Sequence, residues 1–149
     1  MQIRGRRMNV RAVGLFSLLV AALHLIPFST SAASLRYEPA VVELSGTVVL
    51  EEHFGPPGFG EDPKTDLVEL TAVLVLDAPI SVVGDTPGEG FNQTSYPDVR
   101  RLQLVRGYSD PPFSPYARKH VVAFGTLYEG FTGHHHTDVL VRVESIAVK

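Results

Sequence analysis

"VVELSGTVVLEE", residues 41–52, alternates with a period of two: Val42, Leu44, Val48 and Leu50 fall on one side, Glu43, Ser45, Thr47 and Glu51 on the other. Successive side chains of an extended chain point to opposite faces, so this is a strand with one dry face. Gly46 interrupts the dry face at its middle, where a missing side chain permits a bulge or a bend. The same alternation recurs downstream. "DLVELTAVLVLD" (66–77) puts Val68, Leu70, Ala72, Leu74 and Leu76 on one side. Its other side turns apolar at Val73 and Val75, so the second half is expected to be covered on both faces. "APISVV" (78–83) either extends that strand past Pro79 or forms a short one of its own. "VRRLQLVRG" (99–107) points Leu102 and Leu104 inward, and "KHVVAFGTLYE" (119–129) and "TDVLVRVESIAV" (137–148) are the last two strands.

Gly and Pro concentrate between these strands, in 53–66, 84–98, 108–119 and 130–137, as turns require. No window carries a 3.6-residue apolar stripe, and "SPYARK" (114–119) makes at most one helical turn. The domain is expected to be all-β. "LSGTVVL" (44–50) and "AFGTLYE" (123–129) share a central Gly-Thr followed by an aliphatic residue. Two bent strands, first and fourth of five, are what closing a small barrel demands. The expected fold is therefore a small five-stranded OB-like barrel whose first strand curls until it pairs with the fourth. A small open β-sandwich, using the same strands without closure, is the alternative.

Upstream, "MQIRGRRMNVR" carries Arg4, Arg6, Arg7 and Arg11 and no acid. The apolar run Ala12–Ile26, the breaker Pro27 and the small residues before Ser34 follow, which together read as a secretory signal peptide. This largely apolar stretch of fifteen residues falls short of the ~20 a spanning helix needs. Cleavage is expected after Ala33, with Ser31 and Ala33 as the small pair; cleavage after Ala32 fits nearly as well. Met8 also opens a complete signal. Asn9 stands where a twin-arginine signal would carry a bulky apolar residue, which argues against that route. The organisation is a signal peptide over 1–33 and one domain over 34–149, exported to the periplasm or beyond, with no membrane span after cleavage.

The chain has no cysteine, so disulfides, thiolate ligands and cysteine nucleophiles are excluded. A cysteine-free exported domain points to a bacterial protein, and on that reading the sequon Asn92-Gln93-Thr94 is idle. Removing the four signal arginines from 13 basic residues leaves nine against 16 acids, a formal charge of −7. Nucleic-acid binding needs clustered Lys and Arg to neutralise phosphates, so DNA and RNA are not expected partners.

The Gly-bearing first strand, "FGPPGFGEDP" (54–63), "LVLDAPISV" (74–82) and "HVVAFGTLYEGFTGHHHTDVLVRV" (120–143) together resemble a group of short secreted bacterial proteins classed as a domain of unknown function. The resemblance spans about Val41 to Val148, and its most specific piece is Thr132-Gly133-His134-His135-His136-Thr137 entering the last strand. It implies secretion and an OB-like barrel, and it supplies no activity or ligand. That family usually has a small residue or Pro where Asp138 stands, so the resemblance gives this carboxylate no role.

The histidine triplet is the first candidate site. If strand geometry reaches back to His134, then His134, His136 and Asp138 share a face, while His135 points away with Thr137 and Val139. A His-x-His pair suits zinc, copper or nickel, with Asp138, His120 or His53 as further ligand. The plainer reading is a polar turn with one ring bonded to a backbone carbonyl. The second candidate is the rim formed by loops 53–65 and 130–137, which carries His53, Phe54, Phe59, Phe131 and His135. Aromatic and imidazole rings on a rim suit stacking on sugars or docking a peptide. In the plainer alternative each Phe plugs an open end of the barrel. Glu61 and Asp62 are too few oxygens for calcium by themselves. No serine sits in a nucleophile elbow, and the adjacent Glu51 and Glu52 point to opposite faces, as solvated strand-end charges do. The expectation is a non-enzymatic, exported binding module for an envelope protein or glycan, needing no cofactor. The rival is a divalent-metal protein, zinc for example, using His134 and His136.

Overall fold

Strand β2 (Val41–Phe54) has two neighbours in succession, and Gly46 is where they change over. The structure, a computed structural model, describes residues 33–149 apart from 89, 108 and 109. The elements are β1 (Ala33–Arg36), β2, β3 (Val68–Val83), β4 (Tyr96–Val105), a 3-10 turn at Ser114–Tyr116, β5 (His120–Glu129) and β6 (Val139–Val148). Residues 41–47 of β2 pair antiparallel with β5, and residues 46–54 pair antiparallel with β3. Gly46 faces Leu76 on one side and Val121 on the other, and a Cβ there would overlap the Val75 carbonyl oxygen. Only glycine lets the two backbones approach this closely. Gly125, the echo on β5, sits at a register shift opposite Val143, where a Cβ would overlap the Arg142 carbonyl.

Hydrogen bonding continues from β3 to β4 (antiparallel), β4 to β6 (parallel), β6 to β5 and β5 back to β2. The five long strands thus form a ring, with the first pairing the fourth, in an all-β fold of the expected barrel-like class. A sixth strand was not legible. Ala33–Arg36 adds parallel to Ile80–Val83, the end of β3. "APISVV" extends β3, at the cost of register shifts against β4 between Val75 and Val82. The single helical turn falls within "SPYARK". The expected signal peptide, residues 1–33, lies outside the described residues apart from Ala33.

The inside of the ring is the dry face read from the alternation. Val42, Leu44, Val48, Ala72, Leu74, Leu102 and Leu104 meet Val121, Leu127, Val139 and Val141 there. Each fully buried Val or Leu contributes about 1.5–3 kcal/mol. Tyr37 closes one end, and its hydroxyl donates to the Thr94 carbonyl over 3.0 Å.

Two expectations for β3 are corrected. Val68 and Leu70 share the face of Ala72 and Leu74, yet each is 62 % exposed. β4 joins β3 only from Val73 onward, so the ends of β2 and β3 run past the ring as a two-stranded ribbon. Of the outer-face pair, Val73 is buried and Val75 is not. Gln103, opposite Val73, anchors a covering loop, while Val75 is left open beside Arg101.

Candidate functional site

The outer face of the ribbon is polar. Glu51 lies opposite Thr71 and His53 opposite Glu69, so all four side chains share that face. The segment 130–138, between β5 and β6, folds back over it. Its ends are tied by the Gly130 N–H to the Asp138 carbonyl (2.8 Å), and it turns through the His135 N–H to the Thr132 carbonyl (3.0 Å). Gln103 of β4, nearly fully buried, acts as its strand partner. The carboxamide donates to the His134 carbonyl (2.9 Å) and accepts from the His136 N–H (2.7 Å). The Gln103 N–H donates to Thr137 Oγ1 (2.9 Å), whose hydroxyl donates onward to the Val139 carbonyl (2.7 Å).

Strand geometry therefore begins at Val139 and does not reach back to His134. His134 and His136 nonetheless both turn to the ribbon, onto Glu69 and His53, which face each other across it, while Asp138 does not join them. His134 Nδ1 bonds the Glu69 carboxylate at 2.9 Å, with the Phe59 ring edge-on at 5.1 Å. The His136 ring stacks on His53, centroids 3.8 Å apart and planes 5° from parallel. His135 turns the other way, where its Nδ1 accepts the Phe131 N–H (3.0 Å) and its ring meets Tyr128 and Phe131 edge-on. Asp138 is exposed beside Thr137. His120, weighed as a further metal ligand, is bonded elsewhere, to Asp77 at 2.8 Å.

The stack itself bears on metal chemistry. An imidazole lone pair lies in its ring plane, so two parallel rings one stacking distance apart cannot both direct nitrogens at one ion. Among the described residues no group of three or more His, Asp or Glu is placed to hold a metal. Glu61 and Asp62 likewise form no oxygen cage. Loop 55–66 is organised by Asp66, whose carboxylate accepts the Gly58 and Gly60 N–H groups, each at 2.7 Å.

Burial disfavours the charged form of two of the rings. Burial pushes the His135 and His136 imidazoles below their ordinary range; for His136 the nearby His53, His134 and His135 add to this and Glu69 opposes it. His53 Nε2 and His136 Nε2 are both buried without a hydrogen-bond partner. The nearest acid to His53 Nε2 is Glu51, at 3.6 Å, and Glu51 is also bonded by Arg101.

The aromatic residues are not plugs. Phe54, Phe59 and Phe131 stay outside the core, and Phe131 is 63 % exposed. Phe59 covers Gly133, where a Cβ would press on its ring, so loops 55–66 and 130–138 interlock. The rim residues His53, Phe59 and the histidine loop are thus brought together, while Phe54 stands on the ribbon's other face, opposite Val68.

Other residues of the face went unread. Phe91 stacks on Phe131 at 5.4 Å, and its place in a Gly-rich loop was the available signal. Glu51 and Glu69 looked like solvated strand charges, and nothing local marked Gln103. Asn92 of the sequon is buried, and its Oδ1 accepts the Glu129 N–H at 2.7 Å, so its side chain is already committed.

A protein-family model described as a domain of unknown function, DUF4431, matches residues 101–147. The match runs from within β4 to β6 and takes in Gln103 and the whole histidine loop. Glu51, His53, Phe59 and Glu69 lie outside it. No curated protein and no solved structure matches the chain.

Proposed function

We propose that this is an exported, non-enzymatic binding module that engages an envelope glycan or protein through the face built on the histidine loop. The observation that carries the reading is the interlocking of two loops from distant parts of the sequence. Phe59 seats on Gly133 and His134, and His53 stacks on His136, which fixes a polar surface flanked by the exposed Phe131–Phe91 pair. Exposed rings held by a rigid scaffold suit recognition, since little side-chain freedom remains to be lost on binding.

Nucleophilic chemistry gains no support. Ser45 and His120 both bond the same carboxylate, Asp77, so the imidazole is turned to the acid and not to the hydroxyl, unlike a serine triad. The metal reading gains no support from the His53–His136 stack, whose parallel rings cannot both face one ion, and among the described residues no third His, Asp or Glu joins His134 and His136.

A photo-crosslinking side chain placed at Phe131, and separately at Val41 on the first residue of β2, tests the surface in the expressing cell. Adducts at position 131 and none at position 41 are expected. Equal labelling from both, or labelling from neither, would remove the reading.

A further inference from the structure

Beside the histidine loop lies an open cleft of about 640 Å3. Its walls are Glu51 and His53 of β2, the stretch Tyr96–Arg101 of β4, and His136–Val139 entering β6. It exists because β4 and the chain leading into β6 stay apart until their parallel pairing begins at Gln103 and Leu140. The size falls within the roughly 300–1,000 Å3 of small-ligand pockets.

The cleft's charges are largely matched in advance. Arg101 is bonded to Glu51, and Arg100 Nε to Asp98 at 3.0 Å. Each partner keeps hydrogen-bonding capacity, since a guanidinium has five N–H donors and a carboxylate about four lone-pair sites. An anionic ligand would meet Glu51, Asp98 and Asp138, and a cationic one would meet both guanidinium groups. A hydroxyl meets neither penalty, because it donates to a carboxylate and accepts from a guanidinium at once. On the inner wall His53 and His136 supply a stacked pair of rings whose Nε2 atoms have no partner, although polar atoms so placed are normally paired.

We infer that this cleft is a saccharide subsite, which takes an uncharged sugar ring by its hydroxyls between the Arg101–Glu51 and Arg100–Asp98 pairs, with the His53–His136 stack behind it. The inference rests on the binding-module reading and names the ligand class and the place on that face.

Calorimetric titration of the exported protein with neutral oligosaccharides, two to four units of glucose, mannose or N-acetylglucosamine, tests it. Binding of at least one series is expected, weakened at least tenfold in Arg101→Gln and in Asp98→Asn and changed less than threefold in Phe131→Ala. Both cleft residues are exposed, so unaltered melting of the variants separates lost binding from lost folding. Binding that survives the cleft variants and disappears in Phe131→Ala overturns the subsite and leaves the module reading standing, with the ligand on the rim. Tighter binding of polygalacturonate or spermidine than of any neutral sugar overturns the charge-matching argument. No binding by any neutral series also overturns the inference, and adducts from position 131 would then point to a protein partner.

Discussion

Gln103 shows how much one side chain can decide. It sits near the end of β4, on its outer face, and its carboxamide satisfies one donor and one acceptor of a loop more than 30 residues away. Replacing it by leucine keeps the bulk and leaves the His134 carbonyl and the His136 N–H unpaired, at about 1–3 kcal/mol for each group that stays buried. Gln103→Leu is therefore expected to lower stability in urea by about 3 kcal/mol, and a change under about 0.5 kcal/mol would contradict the clamp. The buried imidazoles carry a second prediction. Their folded-state affinity for protons lies below the ordinary 6.5, so the unfolded chain takes up protons that the folded chain refuses. Stability is then complete above about pH 6.5 and falls as the pH drops from there toward the folded values. Asp77, held low by Ser45 and His120, adds its own loss only as the pH falls from the ordinary carboxylate value downward, a separate window. Thermal melts from pH 7.5 to 5.0 should show a falling Tm, with a shallower slope in His136→Gln; a Tm that rises on acidification would refute the assignment. The triplet was visible in the sequence as a candidate site, and so was the opposition of His135 to its neighbours, but what each ring meets was not. Those contacts depend on Gln103, His53 and Glu69, which only the fold brings near.

Among the elements, the long strands were legible because a two-residue period is a local property that one dry face imposes. The bend in β2 was legible too, because Gly46 stands in the middle of that face. Gly46→Ala would push a methyl group into the Val75 carbonyl, at the point where β2 leaves β5 for β3. Overpacking of this kind costs about 1–3 kcal/mol, and backbone in place of a yielding side chain argues for the upper end. A denaturation midpoint unchanged in Gly46→Ala would mean that the strand does not bend there. Alternation says which face a residue takes, and it is silent on whether anything packs against that face. Val68 and Leu70 therefore read as core and stand in solvent, because β4 turns away before reaching them. β1 escaped notice for the opposite reason. Four residues with small side chains among them carry too short a pattern, and they are strand only because β3 continues past Pro79 to receive them.

For the whole molecule, the decisive property is that the ring has no spare strand. The residues matching the family model, 101–147, contain half of β4 together with β5 and nearly all of β6, and within them β6 pairs with both others. What they lack is β2 and β3, the two strands that join β5 to β4 and close the circuit. Without them Val121, Leu127, Val139 and Val141, all fully buried, would lose the facing layer formed by Val42, Leu44, Val48 and Leu74. His136 would lose His53, and His134 would lose Glu69. Removing four such side chains from cover forfeits several kcal/mol at about 1.5–3 kcal/mol each, comparable with the 5–15 kcal/mol that holds an ordinary domain together. A peptide of residues 101–147 is accordingly expected to be unfolded in water, with no cooperative melt and random-coil circular dichroism. Supplying residues 34–100 as a second peptide should restore strand signal, since two ladders, β2 with β5 and β3 with β4, join the pieces. If the shorter segment instead folded alone with protected amides in β5 and β6, ring closure would not be what stabilises the domain. The histidine loop would then be shaped by its own segment, independent of the ribbon it covers.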